Sequence, residues 1–164
     1  MASNRIETDR LCLRQLQVEE GRELLQGRAD PERPWMSGYP IQGTLIAVEA
    51  FVRAVDSGAQ PGAFGVYQLV RSADGQVIGD IGFHGPPDRH GSVTVGYGLA
   101  AGARGRGYAT EALRALVAWA LAQPGVVRVE ADTTHANFPS QRVMERAGMR
   151  LVDRNEQLRF YRIP

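Results

Sequence analysis

The apolar positions of the chain switch between a spacing of two and a spacing of three to four, so strands and helices alternate along it. Residues 6–14 alternate around Leu11 and Leu13, which predicts a first strand with one buried face. A short helix is expected over 18–26. A second, over 44–57, carries Leu45, Val48, Phe51, Val52 and Val55 on one stripe behind Thr44, a residue suited to cap it. Between these helices, 27–43 is broken by Pro31, Pro34, Gly38 and Pro40 and reads as an irregular loop holding Trp35 and Tyr39. Residues 64–70 and 77–84 flank Asp74-Gly75, the arrangement of an antiparallel hairpin.

In 92–99, Val93, Val95, Tyr97 and Leu99 alternate with small residues. Glycine weakens a strand interior, so Gly96 and Gly98 mark a bulge or an edge that a ligand approaches. Residues 108–121 form the most regular helix, closed by Pro124-Gly125. A strand over 126–131, a helix over 139–147 ended by Gly148, and one or two strands within 151–163 complete the chain. The order is mixed α/β without repeats or linkers, and one domain over 1–164 is expected.

The 164 residues are 43% apolar and 23% charged, close to globular averages. The 19 basic and 18 acidic residues nearly cancel, which argues against a nucleic-acid or anionic-membrane partner held by net charge. Every basic residue is arginine, so Schiff-base chemistry and Walker-type phosphate loops, which need a lysine amine, are excluded. Cys12, the single cysteine, sits in the first alternating stretch, where a structural thiol is expected rather than a nucleophile. His90 and His135 stand in polar loops without metal spacing, so no metal is assigned. No stretch reaches the ~18 to 20 apolar residues of a membrane helix, and the cytoplasm is the expected location.

Chemistry concentrates where the strand 92–99 runs through Ala100 into Arg104, Gly105, Arg106, Gly107, Tyr108, Ala109 and Thr110 and then straight into the helix. A helix start presents unpaired N–H groups and partial positive charge, glycines allow close approach, and arginines add forked donors. These features suit an oxygen-rich anion. A dinucleotide fingerprint is ruled out because the third glycine and the βαβ setting are missing. An arginine–glycine nucleic-acid tract would not flow into an ordered helix.

At these residues the sequence resembles the GNAT superfamily of acetyl-CoA-dependent N-acetyltransferases. That family's signature is Gln or Arg, two variable residues, Gly, one variable residue, then Gly or Ala, and Arg104, Gly107 and Ala109 match it in register. The segments IETDRLCLRQL, VTVGYGL, YATEALRALVAWAL and NFPSQRVMERAGM look like the branch containing the ribosomal-protein N-terminal acetyltransferases. The resemblance implies a mixed, mostly antiparallel sheet of about six to seven strands, helices on both faces and a splayed central strand pair. It implies acetyl-CoA as co-substrate and an amine acceptor, either a protein N-terminus or a small molecule. The pyrophosphate would sit on residues 104–110 and the pantetheine arm would run like an added strand along Gly98, Leu99 and Ala100. A main-chain N–H near 97–99 would hold the thioester oxygen.

The resemblance also assigns Asn137 and Ser140 to the family's Asn-x-x-Ser, near the cofactor sulfur. Where many relatives carry an acidic tyrosine four residues after that serine, this chain has Met144, which leaves Ser140 or water as the proton donor. Strand parity puts Asp80 and His84 on one face, opposite Ile81 and Phe83, as candidates for the base or a proton relay, with Glu111 a further candidate. Trp35, Tyr39 and Tyr97, with Phe64 and Tyr67, are possible acceptor contacts, although loop aromatics more often anchor the loop itself. The alternative function is a non-catalytic acyl-CoA-binding or sensing module. A homodimer through paired C-terminal strand edges is one expected assembly.

Overall fold

A computed structural model describes residues 3–164. The first alternating stretch forms two strands rather than one, β1 (Arg5–Glu7) and β2 (Leu11–Gln15), because Thr8 turns the chain: its N–H donates to Leu11 O and its hydroxyl oxygen accepts from Leu11 N. Helix α1 spans Val18–Leu25, and Gln17 and Glu20 close its start as a capping box. Helix α2 spans Gln42–Asp56 and begins at Ile41, which has no capping side chain. The expected cap, Thr44, lies inside the first turn and is fully buried, where its hydroxyl has another partner described below.

The predicted hairpin is β3 (Val66–Arg71) and β4 (Val77–Phe83). It carries a β-bulge: Val70 faces Val77 and Leu69 faces Gly79, so Ile78 has no opposite number. The extra residue shifts the alternation of faces, and Val77 joins the apolar cluster under α1 and α2 while Ile78 and Ile81 join the cluster under α3. Strand β5 spans Ser92–Leu99, followed by a 3-10 turn at Ala101–Ala103 and helix α3 at Tyr108–Leu121. Strand β6 runs Arg128–Thr134, later than the apolar run 126–131 suggests, because Gly91 O takes the N–H groups of Val127 and Arg128 into the preceding loop. Helix α4 (Phe138–Arg146) and the hairpin β7 (Arg150–Arg154) and β8 (Leu158–Ile163) follow.

The eight strands form one sheet in the order β1-β2-β3-β4-β5-β6-β8-β7. That is slightly more than the six to seven expected, the difference lying in the split first strand and the resolved final hairpin. All neighbours are antiparallel except β5 and β6. Helices α1 and α2 pack Leu24, Val48 and Val52 on one face, and α3 and α4 pack Leu113, Leu116, Val117 and Met144 on the other. The aromatic rings of Phe64, Phe83 and Trp119 meet at 5.1 to 5.8 Å within the second layer. No described helix is long and apolar enough to cross a membrane.

Candidate functional site

The parallel pair at the centre of the sheet is short: Ser92, Val93 and Thr94 lie opposite Arg128, Val129 and Glu130, and beyond them β5 and β6 part. On its other side β5 stays paired with β4 as far as Leu99. His84 N donates to Thr94 O and Ala100 N to Ile78 O, which fixes the alternation of the antiparallel ladder. Its wide and narrow rungs therefore turn the main-chain groups of Tyr97 and Leu99 away from β4, into the gap. A wedge-shaped cleft results, with one strand edge exposed as a hydrogen-bonding template.

The end of β5 feeds the arginine–glycine loop. Gly105 and Gly107 have φ of +75° and +82°, and the left-handed turn at Gly107 starts α3 without any capping side chain. Among the described residues, none of the N–H groups from Gly105 to Thr110 has a protein acceptor. Arg104, Gly105, Arg106 and Gly107 are exposed, and Arg104 Nε donates back to Leu99 O at 3.2 Å. Arg10 holds the loop from outside: its Nη1 donates to Arg106 O at 3.0 Å, its guanidinium lies 4.3 Å above the Tyr108 ring, and its Nε meets Glu111 Oε1 at 2.8 Å. Thr8 Oγ1 donates to Glu111 Oε2 at 2.6 Å. Burial pushes the Glu111 carboxyl up, but the donors of Thr8 and Arg10 outweigh it and leave the group below its ordinary range. An open groove of about 600 Å³ runs past Thr8, Arg10, Gly107, Thr110 and Arg114.

Across the cleft, Asn137 Oδ1 accepts from Ser140 N at 3.2 Å and caps α4, and Gln141 Nε2 donates to the carbonyls of Thr134 and His135, fixing the turn out of β6. Arg114 of α3 closes the other end of α4 through Arg146 O, at 3.0 and 2.7 Å. Ser140 is thereby carried to Tyr97. The Tyr97 hydroxyl stands 2.8 Å from Ser140 Oγ and 3.1 Å from Ser140 O, within reach of either with its one proton, and burial pushes it up to about 12.

On the α2 face of the same strands, Asp80 lies opposite Gly98 on one side and Gln68 on the other. Thr44 Oγ1 donates to Asp80 Oδ2 at 2.5 Å, and Gln68 Nε2 reaches Tyr39 OH at 3.4 Å. Asp80 is 6% exposed; burial raises its carboxyl to about 6, against the lowering effect of hydrogen bonds from Thr44 and Tyr39. Burial and then the Asp80 charge raise the Tyr39 hydroxyl. His84 is exposed, and a Cβ added to Gly96 would lie 3.1 Å from its Nε2. The two residues that parity placed together do share this face. Ile41 covers Gly98 from above, and Trp35 meets Tyr39 edge to face at 5.9 Å.

Of the residues expected around the acceptor, Phe64 belongs to the α3 core and Tyr67 is fully buried with its hydroxyl on Ala63 O, so neither lines this face of the cleft. Trp35 pairs with Val77 as an isolated parallel bridge and borders a pocket of about 290 Å³ with Leu16, Leu24, Arg33 and Gln68. Glu111 is engaged on both oxygens and is a brace for the loop rather than a base. Cys12 is half-buried, and burial followed by the nearby Glu7 pushes its thiol up to about 11, which suits a structural thiol. Arg10, Gln68 and Gln141 carry no signal of their roles in the sequence and Thr44 only that of a helix cap, since each acts on a partner that no local periodicity reveals.

A family profile described as the acetyltransferase (GNAT) domain matches residues 10–150. The uncharacterized N-acetyltransferase YjdG of Bacillus subtilis is 30% identical over 98 residues, a match that spans 60% of this chain and 58% of that protein. An acetyltransferase of Agrobacterium tumefaciens shares the fold with a TM-score of 0.69 and 24% identity, over 100% of this chain and 96% of the other. RimL, a ribosomal-protein α-N-acetyltransferase solved in complex with coenzyme A, has a TM-score of 0.67 at 16% identity, over 98% and 97% of the two chains. The unpaired N–H run at the head of α3, the splayed β5/β6 pair and a profile match over most of the length agree: this chain belongs to the GNAT acetyltransferase family.

Proposed function

We propose that the protein transfers the acetyl group of acetyl-CoA directly to a primary amine, on a protein N-terminus or a small molecule, within a ternary complex. The observation that carries this reading is the run of unpaired N–H groups from Gly105 to Thr110, set at a helix start and beside the open edge of β5. The pyrophosphate sits on these groups, with Arg104 and Arg106 at its flanks, and the pantetheine arm follows β5 past Ala100, Leu99 and Gly98. The N–H of Tyr97 or Leu99 takes the thioester oxygen, where negative charge grows during attack.

An amine near pKa ~8 to 10 is mostly protonated at neutral pH and must lose a proton before it attacks. His84 stands exposed on the acceptor face and takes that proton, while the buried Asp80 supplies negative charge beneath the incoming cation. The nitrogen then bonds to the thioester carbon, the C–S bond breaks, and the sulfur leaves towards Ser140, whose hydroxyl donates to it. Solvent completes protonation of the thiolate. No enzyme-bound acyl group is needed.

Calorimetric titration with acetyl-CoA tests the cofactor half. The native chain binds, and Gly107→Val, which forces a branched side chain into a left-handed turn within 3.4 Å of Arg10 Nη2, loses at least about tenfold in affinity. A native chain that binds no acetyl-CoA sinks the reading. Thiol release over a panel of peptide and small amines then separates an enzyme from a binding module.

A further inference from the structure

Ile41 ends the long loop and precedes α2, and its side chain lies directly on Gly98. A Cβ added to Gly98 would stand 2.5 Å from Ile41 Cδ1, so the volume that any larger residue would fill on this face of β5 already belongs to Ile41. Met36 does the same further along: its Cε is 3.1 Å from where a Cβ on Gly102 would be. The loop is tied down here by Met36 N on Val77 O and Val77 N on Pro34 O, which gives the roof a fixed height above the strand.

This inference rests on the cofactor reading above. The N–H groups of Tyr97 and Leu99 flank Gly98 and face the gap, so a thioester carbonyl held by either has its carbon beside Gly98. A trigonal carbon has three directions. Its oxygen points at the N–H and its sulfur towards Ser140 on the α4 side, which leaves the acyl substituent directed to the α2 side, under Ile41.

We propose that Ile41 is the residue that sets acyl-chain length, admitting an acetyl group and excluding longer chains from the space over Gly98. The wall is apolar and rigid at its base, so exclusion is steric, and each added methylene counts against binding as it would in a closed hydrophobic pocket.

The test is calorimetric titration of coenzyme A, acetyl-CoA and butyryl-CoA into the native chain and into Ile41→Ala, Ile41→Leu and Ile41→Phe. The native chain is expected to bind acetyl-CoA at least about tenfold more tightly than butyryl-CoA, and Ile41→Ala to bring the two within roughly threefold. Ile41→Leu, equal in volume, keeps the discrimination. Ile41→Phe weakens acetyl-CoA while leaving free coenzyme A unchanged, which keeps the proposal testable should the alanine variant fail to fold. Equal native affinity for both acyl forms, or a ratio that neither Ala nor Phe moves, overturns it. A native chain that binds none of the three ligands overturns the cofactor reading with it, an outcome distinct from a failure of Ile41 alone.

Discussion

Arg10 and Glu111 are joined twice, through the guanidinium Nε at 2.8 Å from Oε1 and through Arg10 N donating to Oε2 at 2.9 Å. The contact ties the turn between β1 and β2 to the first turn of α3, and the same guanidinium reaches Arg106 O. Arg10 therefore shapes the loop without belonging to it.

Arg10→Ala is expected to lower acetyl-CoA affinity about tenfold while costing only about 1 kcal/mol of stability, because a partly exposed ion pair and a cation–π contact are each worth little. Arg10→Lys should not restore affinity, since one ammonium cannot span Glu111, Arg106 O and the Tyr108 ring together. Paired calorimetry and thermal melts check this; an affinity equal to native in Arg10→Ala would remove the loop-shaping role.

Asp80 gives a pH signature that needs no acceptor. Burial holds its carboxyl at about 6 in the folded chain, above the ~3.9 of an unfolded aspartate, so the folded state binds more protons between those values. Stability tied to that proton is complete near pH 4 and is lost as pH rises through about 6. Asp80→Asn, which can still accept from Thr44, is expected to be neutral near pH 4 and stabilising by up to about 3 kcal/mol near pH 7.5. Denaturant melts at the two pH values decide, and equal destabilisation at both would contradict the assignment.

The hydroxyl of Tyr97, held up at about 12, stays a donor across the working range and keeps Ser140 Oγ oriented at 2.8 Å. If Ser140 then donates to the cofactor sulfur, Tyr97→Phe should raise the thiol pKa of bound coenzyme A by about one unit with affinity changed less than roughly threefold, and Ser140→Ala should raise it further. Thiolate absorbance of the bound cofactor, titrated against pH, reports this directly. Titration curves of native and variant that superimpose would take Tyr97 and Ser140 out of the chemistry.

What could be read from the sequence was local or periodic. The 108–121 helix, the arginine–glycine loop ahead of it and the shared face of Asp80 and His84 all follow from spacings within a dozen residues. The start of α2 did not, because Thr44 has the chemistry of a cap and is drawn instead into the core by a carboxylate 36 residues away. Arg10 looked like one more strand arginine, and only the packing of β1 and β2 against α3 brings it across about a hundred residues to Glu111. Nor does any pattern announce that Tyr97 and Ser140 meet, since their contact depends on where the sheet splits.

The bulge at Ile78 has a counting consequence. Val77 faces Val70, Gly79 faces Leu69 and Asp80 faces Gln68, so Ile78 is the residue that the ladder does not count, and the side Asp80 occupies is set by its pairing with Gln68 rather than by the number of residues from the Asp74-Gly75 turn. Removing Ile78 would close the strand into one regular register with Asp80 still facing Thr44, and would leave a hole in the apolar layer under α3 where the Ile78 side chain is fully buried. For this strand the bulge absorbs the odd residue, and only beyond it does a frame error matter: an extra or missing residue between Gly79 and Asp80 that no new bulge took up would turn the carboxylate into the apolar layer as a buried charge with no partner.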